Sequence, residues 1–472
     1  MTKSSIIRAI ALDLGSTTVK AALLDQHGEL SHVESLPAPK LNVDGGTFES
    51  DALAYAATAE QVLAACRQHT GDVLPLGLCS QRSSFLLWHA ASGQPITPLI
   101  SWQDNRGEAS CAALHNQEPL IRELTGLRLT PYYFAPKLRV LLQQNPAWRA
   151  QLESGELLLG TLDTFLVWRW SNGRHHITDA SMAARTLLLD IHTRQWSAQL
   201  CELFDIPLGM LPVIAPSTGI NLTLNNGLTL QASLGDQSAA LIASVAADST
   251  DVLVNLGTGG FVMRYLNPTV SLPGGYLHTL VYQESNLQAH IAIEGTLNSI
   301  AAALANYPAA DCRIEELATN DIYCLAEPSG LGAPYFRNDL TLVFSAAVDG
   351  LTPGQIAALL LEGIIFRVTR ILEEFRAESG IANVNLPNVY LSGGLSELNC
   401  LQQGIAQCAP AAVFHLQQHD TSLQGAALLA AGMTGSRHRE AARVHSTATA
   451  PALQAKYQRW KIWLDGLLAR TA

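Results

Sequence analysis

A chain of 472 residues exceeds the size at which one hydrophobic core usually keeps growing, so at least two domains are expected. Its composition, 48% hydrophobic and 15% charged with 35 Gly and 21 Pro, excludes disordered and low-complexity classes and fits an α/β enzyme with large cores. A net charge of -11, with no basic run or basic helix face, argues against nucleic acid or an anionic membrane as partner.

The start, MTKSSIIRAIALDLG, reads as a short apolar strand flanked by Arg8 and Asp13 and lacks the long apolar segment of a signal peptide. No run reaches membrane-spanning length, since Glu362 breaks GQIAALLLEGIIF, and a cytoplasmic protein is expected. The eight cysteines stand singly, with no CxxC pair, and read as buried free thiols rather than a metal or redox site.

In chain order, a strand over residues 6–14 is followed by strands in TVKAALLD and LSHVESLPA, a meander. A helix from Asp51 to Arg67 leads to the strand PLGLCS, and this mixing of antiparallel strands with strand-helix-strand units implies an α/β sheet. Residues 133–219 read as helices and short hairpins elaborating the first domain, with SNG and HTR as turns between apolar strands. His175 and His176, just after the SNG turn, are assigned to the surface. The opening order then returns as the strands DVLVNLG, FVMRYL and AHIAIEG, a helix near Leu297 to Ala305, a long helix from Pro353 to Glu378 and the strand NVYLSGG. AKYQRWKIWLDGLLA has helical apolar spacing and closes the second half. Two domains are therefore expected, residues 1–239 and 240–472, with no Pro/Gly/Ser-rich linker and so a packed hinge near 239.

In DLGSTTVK a strand delivers Asp13 to its end, Gly15 lets backbone amides approach an anion, and Ser16, Thr17 and Thr18 add hydroxyl donors. That is a phosphate cradle, with Lys20 grouped beside it; an ordinary hairpin turn is the plain alternative. Asp13 repels phosphate, so its expected work is to hold a hydrated Mg²⁺. NLGTGG repeats the device with Gly257, Thr258 and Gly259, and puts Asn255 where the first copy has Asp13. Two such loops suit a triphosphate, and neither contains GxxxxGKS or GxGxxG, which disfavours a P-loop or dinucleotide fold. SLGDQSAA sets Asp236 between an apolar strand and a helix, where it serves either as a general base toward a substrate hydroxyl or as a helix N-cap. In YLSGGLSELN, Gly393 and Gly394 lie between a strand and a helix expected to start near Ser396, bare backbone against which an adenine or α-phosphate fits.

Taken in order, DLGSTTVK, SLGDQSAA, NLGTGG, GLGAPYF and YLSGG resemble the FGGY family of carbohydrate kinases, within the actin and hexokinase-like ATPase superfamily, over nearly the whole chain. The resemblance implies an α/β fold of two ribonuclease-H-like (actin-like ATPase) lobes with a cleft between them, the first binding sugar and the second nucleotide. It implies ATP with Mg²⁺, Asp236 as catalytic base and Gln237 as a substrate contact. Substrate is read through CSQRSSFLLW, ISWQDNRG and PYYF. Gln81 and Arg82 match the Gln-Arg of glycerol kinases, but Ser83 replaces their Glu, which argues against glycerol itself since the lost acceptor costs about 1–3 kcal/mol. The Gln-Met-His run of xylulose kinases is absent as well. Trp102 would stack on a carbon chain while Gln103, Asp104 and Arg106 bind hydroxyls or brace the hinge, the plain alternative being a surface loop with a half-buried Trp, and Tyr132 or Tyr133 stands where glycerol kinases set a Tyr against substrate, unless it is core. The implied function is phosphorylation of a terminal hydroxyl of a small sugar or polyol. The rivals are a glycerol kinase-like enzyme, a non-enzymatic actin-like nucleotide-dependent binding protein, and a silent relative acting as a sugar sensor. Dimers are frequent in the family, so the resemblance also allows a homodimer.

Overall fold

The computed structural model describes residues 6–266, 275–377, 387–417, 420–434, 441–444 and 451–470. The chain packs as two compact units that no single cut separates. The first comprises Met1–Ala243, His278–Ile291 and Asp420–Gly435, and the second comprises Ser244–Leu277, Ala292–His419 and Ser436–Ala472.

In the first unit a six-stranded sheet runs in the order Thr218–Thr223, Thr229–Gly235, Pro75–Ser80, Ile7–Leu14, Thr18–Asp25, Leu30–Pro37. The three central strands are parallel and the outer ones antiparallel. Parallel strands covered on both faces need continuous apolar runs, and Ala9, Ile10, Ala11 and Leu12 are all solvent-free. The helix Ala52–Arg67 covers one face. Asp51 caps it by accepting from the Leu53 and Ala54 amides at 2.8 and 3.0 Å, and Ala52, Tyr55, Ala56, Ala59, Val62, Leu63 and Cys66 form its buried stripe. A second cover comes from far down the chain. The helix Thr421–Ala430 lies so close to the sheet that a Cβ on Gly77 would stand 2.1 Å from the Ala426 carbonyl oxygen. Gly425 in turn approaches Ala239 so tightly that a Cβ there would meet its oxygen at 1.8 Å. A separate five-stranded sheet, Asn42–Asp44, Thr47–Ser50, Leu99–Ile100, Phe85–His89 and Leu157–Thr161, belongs to the same unit.

The second unit repeats the central pattern. Val252–Leu256 pairs antiparallel with Gly260–Tyr265 and parallel with Val389–Ser392, which pairs parallel with Val413–Leu416. Ala289–Leu297 extends this sheet beyond Gly260–Tyr265, and the helix Pro353–Ala377 contributes Leu360, Ile364, Val368, Ile371 and Phe375 to the core. The helix Pro451–Arg470 adds Leu453, Tyr457, Trp460 and Leu464.

Several expectations need correction. The residues before the SNG turn, Leu162–Trp170, form a helix rather than a strand, because this segment is buried on nearly every side and its apolar run carries no periodicity. Leu297 ends a strand, and the helix that follows is only Ile300–Leu304. After Gly393 a single 3₁₀ turn, Gly394–Glu397, precedes the helix Asn399–Cys408, so the helix starts later than Ser396. His176 is half-buried, with Nε2 2.7 Å from the Leu159 carbonyl and its ring edge-on to Trp88, and burial lowers its pKa. Glu378 lies outside the described residues. All eight cysteines are free, six of them buried, and among the described residues no cluster of His, Cys, Asp and Glu is arranged to hold a metal ion and no helix is long and apolar enough to cross a membrane.

Candidate active site

The first phosphate turn is set by strand register. Asp13 lies opposite Lys20 and Leu14 opposite Val19, which leaves Gly15, Ser16, Thr17 and Thr18 between the paired residues. A Cβ on Gly15 would stand 2.7 Å from the Thr18 carbonyl oxygen, so the turn closes this tightly only around glycine. Ser16 Oγ accepts the Trp102 indole N–H at 3.0 Å and donates to Gln81 Oε1 at 3.4 Å. Lys20 is paired with Asp420 at 2.6 Å. Asp13 Oδ2 accepts from Ser422 Oγ at 2.6 Å, while Oδ1 is buried without a partner. Burial pushes the Asp13 carboxyl up to about 6 against the Ser422 hydrogen bond, and the negative charge of Asp236 adds to the rise.

Beyond the parallel strand Pro75–Ser80, the Gln81 side chain is taken up by protein. Its Nε2 donates to Tyr55 Oη at 3.1 Å and its Oε1 accepts from Ser84 Oγ at 2.8 Å. Arg82, 2% exposed, places Nε 3.5 Å from Asp236 Oδ1. It reaches there because residue 235 is glycine, where a Cβ would fall 2.8 Å from Arg82 Cγ. Asp236 opens the helix Asp236–Ser244, and the Gln237 amide donates to Asp236 Oδ1 at 2.7 Å. The carboxyl therefore fastens the first turn and still remains 28% exposed. Ser83 is buried at φ 65° and donates its hydroxyl to the Arg185 carbonyl at 2.9 Å.

Trp102 and Tyr132 meet with ring centroids 5.3 Å apart at 50°, and Tyr132 meets Tyr133 edge-on at 5.0 Å. Tyr133 is core, with the Arg185 guanidinium 5.5 Å over its ring, whereas Trp102 and Tyr132 are each partly exposed. Asp104 is solvent-free. It accepts from the Phe48 amide at 2.8 Å and from Arg106 N, Nε and Nη2 at 3.0, 2.7 and 2.9 Å. Burial alone would raise its pKa, but these donors hold the carboxyl below the usual range. Of the two roles expected for Asp104, this geometry supports bracing.

In the second unit the pattern repeats. Asn255 lies opposite Phe261 and Leu256 opposite Gly260, leaving Gly257, Thr258 and Gly259 as a turn one residue shorter. The Gly257 amide donates to the Gly259 carbonyl at 2.8 Å, Thr258 is exposed, and the Thr258 carbonyl accepts from the Ala301 amide at 3.2 Å. The parallel neighbour sets Ser392 beside Asn255 and runs into Gly393, whose φ is 89° and whose absent Cβ would lie 2.4 Å from both Asn255 Oδ1 and the Leu256 carbonyl oxygen. Gly394 is exposed and has open space around it. The GLGAPYF turn is fastened by Glu327, which accepts from the Asn298 and Gly332 amides, each at 2.8 Å, and pairs with the buried Arg367 at 2.6 Å.

Sequence reasoning missed Tyr55, Ser422 and Asp420. Ser422 meets Asp13 across 409 positions of chain, and its only local signal is the small-residue pattern TSLQGAALLAAG.

Two units, each carrying an antiparallel hairpin with a Gly/Thr turn beside parallel strands, define a ribonuclease-H-like phosphotransferase of the actin and hexokinase type. The chain belongs to the FGGY family of carbohydrate kinases: the family's N-terminal domain model matches residues 8–253 and its C-terminal domain model residues 232–433. It is an ATP-dependent kinase of a sugar or polyol. It is 30% identical over 484 residues to an apulose kinase of Pectobacterium atrosepticum, and 31% identical over 483 residues to a glycerol kinase of Alkalilimnicola ehrlichii, with 96% of each chain covered in both cases. In fold it is similar to the crystal structure of Plasmodium falciparum glycerol kinase with ADP (TM-score 0.84, 21% identity, 98% of each chain). A xylulose kinase from Rhodospirillum rubrum gives a TM-score of 0.78 at 18% identity, again over 98% of each chain.

Proposed function

We propose that the enzyme phosphorylates a terminal hydroxyl of a small ketose or polyol other than glycerol, with Asp236 as the general base. The observation that carries this reading is the Asp236 carboxyl, fixed by Arg82 and its own helix turn yet still partly exposed, on the unit that also presents Trp102 and Tyr132. Arg82 favours the ionised carboxylate, which takes the proton as the substrate oxygen attacks the γ-phosphorus, help worth about 10²–10⁴ in rate. The apolar face of a carbon chain stacks on Trp102. Gln81 serves chiefly as a strut between the Ser16 turn and Tyr55, and Gln237 stands beside the base as a substrate contact. Position 83 offers no carboxylate, and its hydroxyl is already committed to Arg185, which supports a substrate other than glycerol.

On the nucleotide side, the amides and hydroxyls of residues 15–18 and 257–259 suit phosphate oxygens, and Gly393 and Gly394 form bare backbone for the base or α-phosphate. Lys20, with its charge tied to Asp420, contributes at longer range. Asp13, a half-buried carboxylate with one buried, orphaned oxygen, fits a hydrated Mg²⁺, which would supply charge neutralisation along the phosphates. The proposed division is residues 1–239 for sugar and 240–472 for nucleotide, with two qualifications: His278–Ile291 and Asp420–Gly435 pack with the first unit, and that unit also supplies residues 15–18 and Asp13 to the nucleotide side.

The test is ADP release across glycerol, erythritol, ribitol, xylitol, ribulose, xylulose, apulose and sedoheptulose, with Asp236→Asn as control. Turnover on one compound, lost in the variant, supports the reading. Preference for glycerol would sink the substrate assignment, and ADP release indifferent to every compound and to Asp236→Asn would sink the kinase mechanism.

A further inference from the structure

Lys137, in the helix Phe134–Gln144, is solvent-free, and the mechanism above makes no use of it. Its Nζ donates to the Ser101 carbonyl at 2.9 Å and to the Tyr132 carbonyl at 3.0 Å. These two acceptors come from different loops, one directly before Trp102 and the other on Tyr132 itself. Ser101 O also accepts the Asp104 amide at 3.1 Å, and the Trp102 amide donates to Ser84 Oγ at 3.0 Å, so the Trp102 backbone is held on both sides. An ammonium group in a protein interior is costly unless it is bonded, and a side chain needed only for packing at this place would be Leu or Met. Burial pushes the amine down to about 7, with nearby Asp104 opposing the shift and Arg106 adding to it.

We propose that Lys137 is a positioning residue for substrate recognition: it ties the Ser101 and Tyr132 carbonyls together and so fixes the Trp102–Tyr132 aromatic pair against which the sugar stacks. Lys137 touches no reacting atom, so its effect belongs in substrate affinity and not in the chemical step. The inference rests on the reading that Trp102 and Tyr132 face the sugar. Without Lys137 the two loops lose their shared donor, Trp102 swings on the loop that carries it, and each sugar encounter must order the pair again.

The experiment has two arms on the full chain. In the first, acrylamide quenching of Trp102 is isolated by subtracting a Trp102→Phe background, with no sugar present. Lys137→Met is expected to raise that quenching about two-fold or more, and unchanged quenching overturns the inference whatever the enzyme's substrate is. In the second, KM is measured with xylulose, ribulose and xylitol as probes. Lys137→Met is expected to raise KM for the compound turned over by about ten-fold, with KM for ATP and kcat changed by less than about three-fold, and the KM effect is expected to vanish in a Trp102→Ala background. Equal changes in both KM values, or additivity with Trp102→Ala, overturns it. Lys137→Gln keeps two N–H donors on a shorter stem; if Lys137→Met does not fold, Lys137→Gln takes its place in both arms, with smaller shifts of the same sign expected. A wild type that turns over none of these three moves the KM arm to whichever compound of the wider panel is turned over, turnover of none of that panel defeats the functional reading alone, and the quenching arm decides the role of Lys137 in either case.

Discussion

At the first turn the strand Ile7–Leu14 delivers a half-buried carboxylate, Asp13; at the matching place in the second unit stands Asn255. The turns hold four and three residues between their last paired positions, and both are hemmed by a parallel strand on the far side, with Cys79 beside Asp13 and Ser392 beside Asn255. The backbone device is thus alike and the charge is not. The difference extends to other buried acids. In the second unit Glu327 pairs with Arg367 at 2.6 Å and Glu362 with Lys456 at 2.5 Å, ion pairs that fasten scaffold. In the first unit Asp104 is also ion-paired, with Arg106, but Asp13, Asp163 and Asp179 are held by hydroxyls and amides, and burial pushes them up to about 6, 7 and 6 respectively. A duplicated core can thus keep its geometry in both copies while one copy concentrates uncompensated carboxylates, the groups suited to moving protons and holding cations, and the other keeps neutral backbone suited to a nucleotide.

If that division is right, the largest effect comes from Asp236→Asn, which removes the base and is expected to lower kcat by about 10²–10⁴ with the thermal midpoint little changed; steady-state ADP release beside a melting curve checks it. Making the turns alike comes next. Asp13→Asn gives the first turn the second turn's residue and is expected to cut kcat about 10²-fold while raising the Mg²⁺ concentration needed for half-maximal rate. A normal Mg²⁺ titration would remove Asp13 from the cation site. Gly393→Ala tests the nucleotide half. A Cβ there collides with Asn255 and Leu256 at a left-handed φ, so KM for ATP is expected to rise about ten-fold or more while KM for sugar holds, and an opposite pattern would reassign the glycine pair.

The smallest effect concerns stability alone. Burial raises Asp163 from 3.8 to about 7, so between those values the folded chain keeps a proton that the unfolded chain has lost. The stability this confers is complete below 3.8 and drains away as pH rises through 7. Asp163→Asn is expected to flatten the fall of the thermal midpoint between pH 4 and 7, and a slope unchanged from wild type would show that Asp163 titrates normally.

Much of this was legible in the sequence because it is local. Alternating or continuous apolar runs marked the strands, Asp51 marked a helix start, and the glycines of the two turns announced their backbone needs before any contact was known. Asp236 was legible in both its readings, and the Gln237 amide on Asp236 Oδ1 shows that a helix-fastening carboxyl and a partly exposed one can be the same group. What escaped was either aperiodic or distant. Leu162–Trp170 is buried nearly all round, so its pattern has no polar face from which to read a helix. Asp104 stood open between hydroxyl ligand and brace because sequence gives no burial, and only the Phe48 amide and Arg106 show where its oxygens are spent. Ser422 and Lys137 act through hydrogen bonds that sequence spacing does not encode.

The helix Thr421–Ala430 counts with the first unit although most of the second precedes it in the chain. During synthesis, therefore, the first unit cannot be finished when its own half leaves the ribosome. Its sheet waits with one face uncovered at Gly77, and Asp13 waits without Ser422, until residue 430 has emerged. A chain that stops at residue 410 has neither Ser422 nor the helix over Gly77, so its first unit lacks this cover.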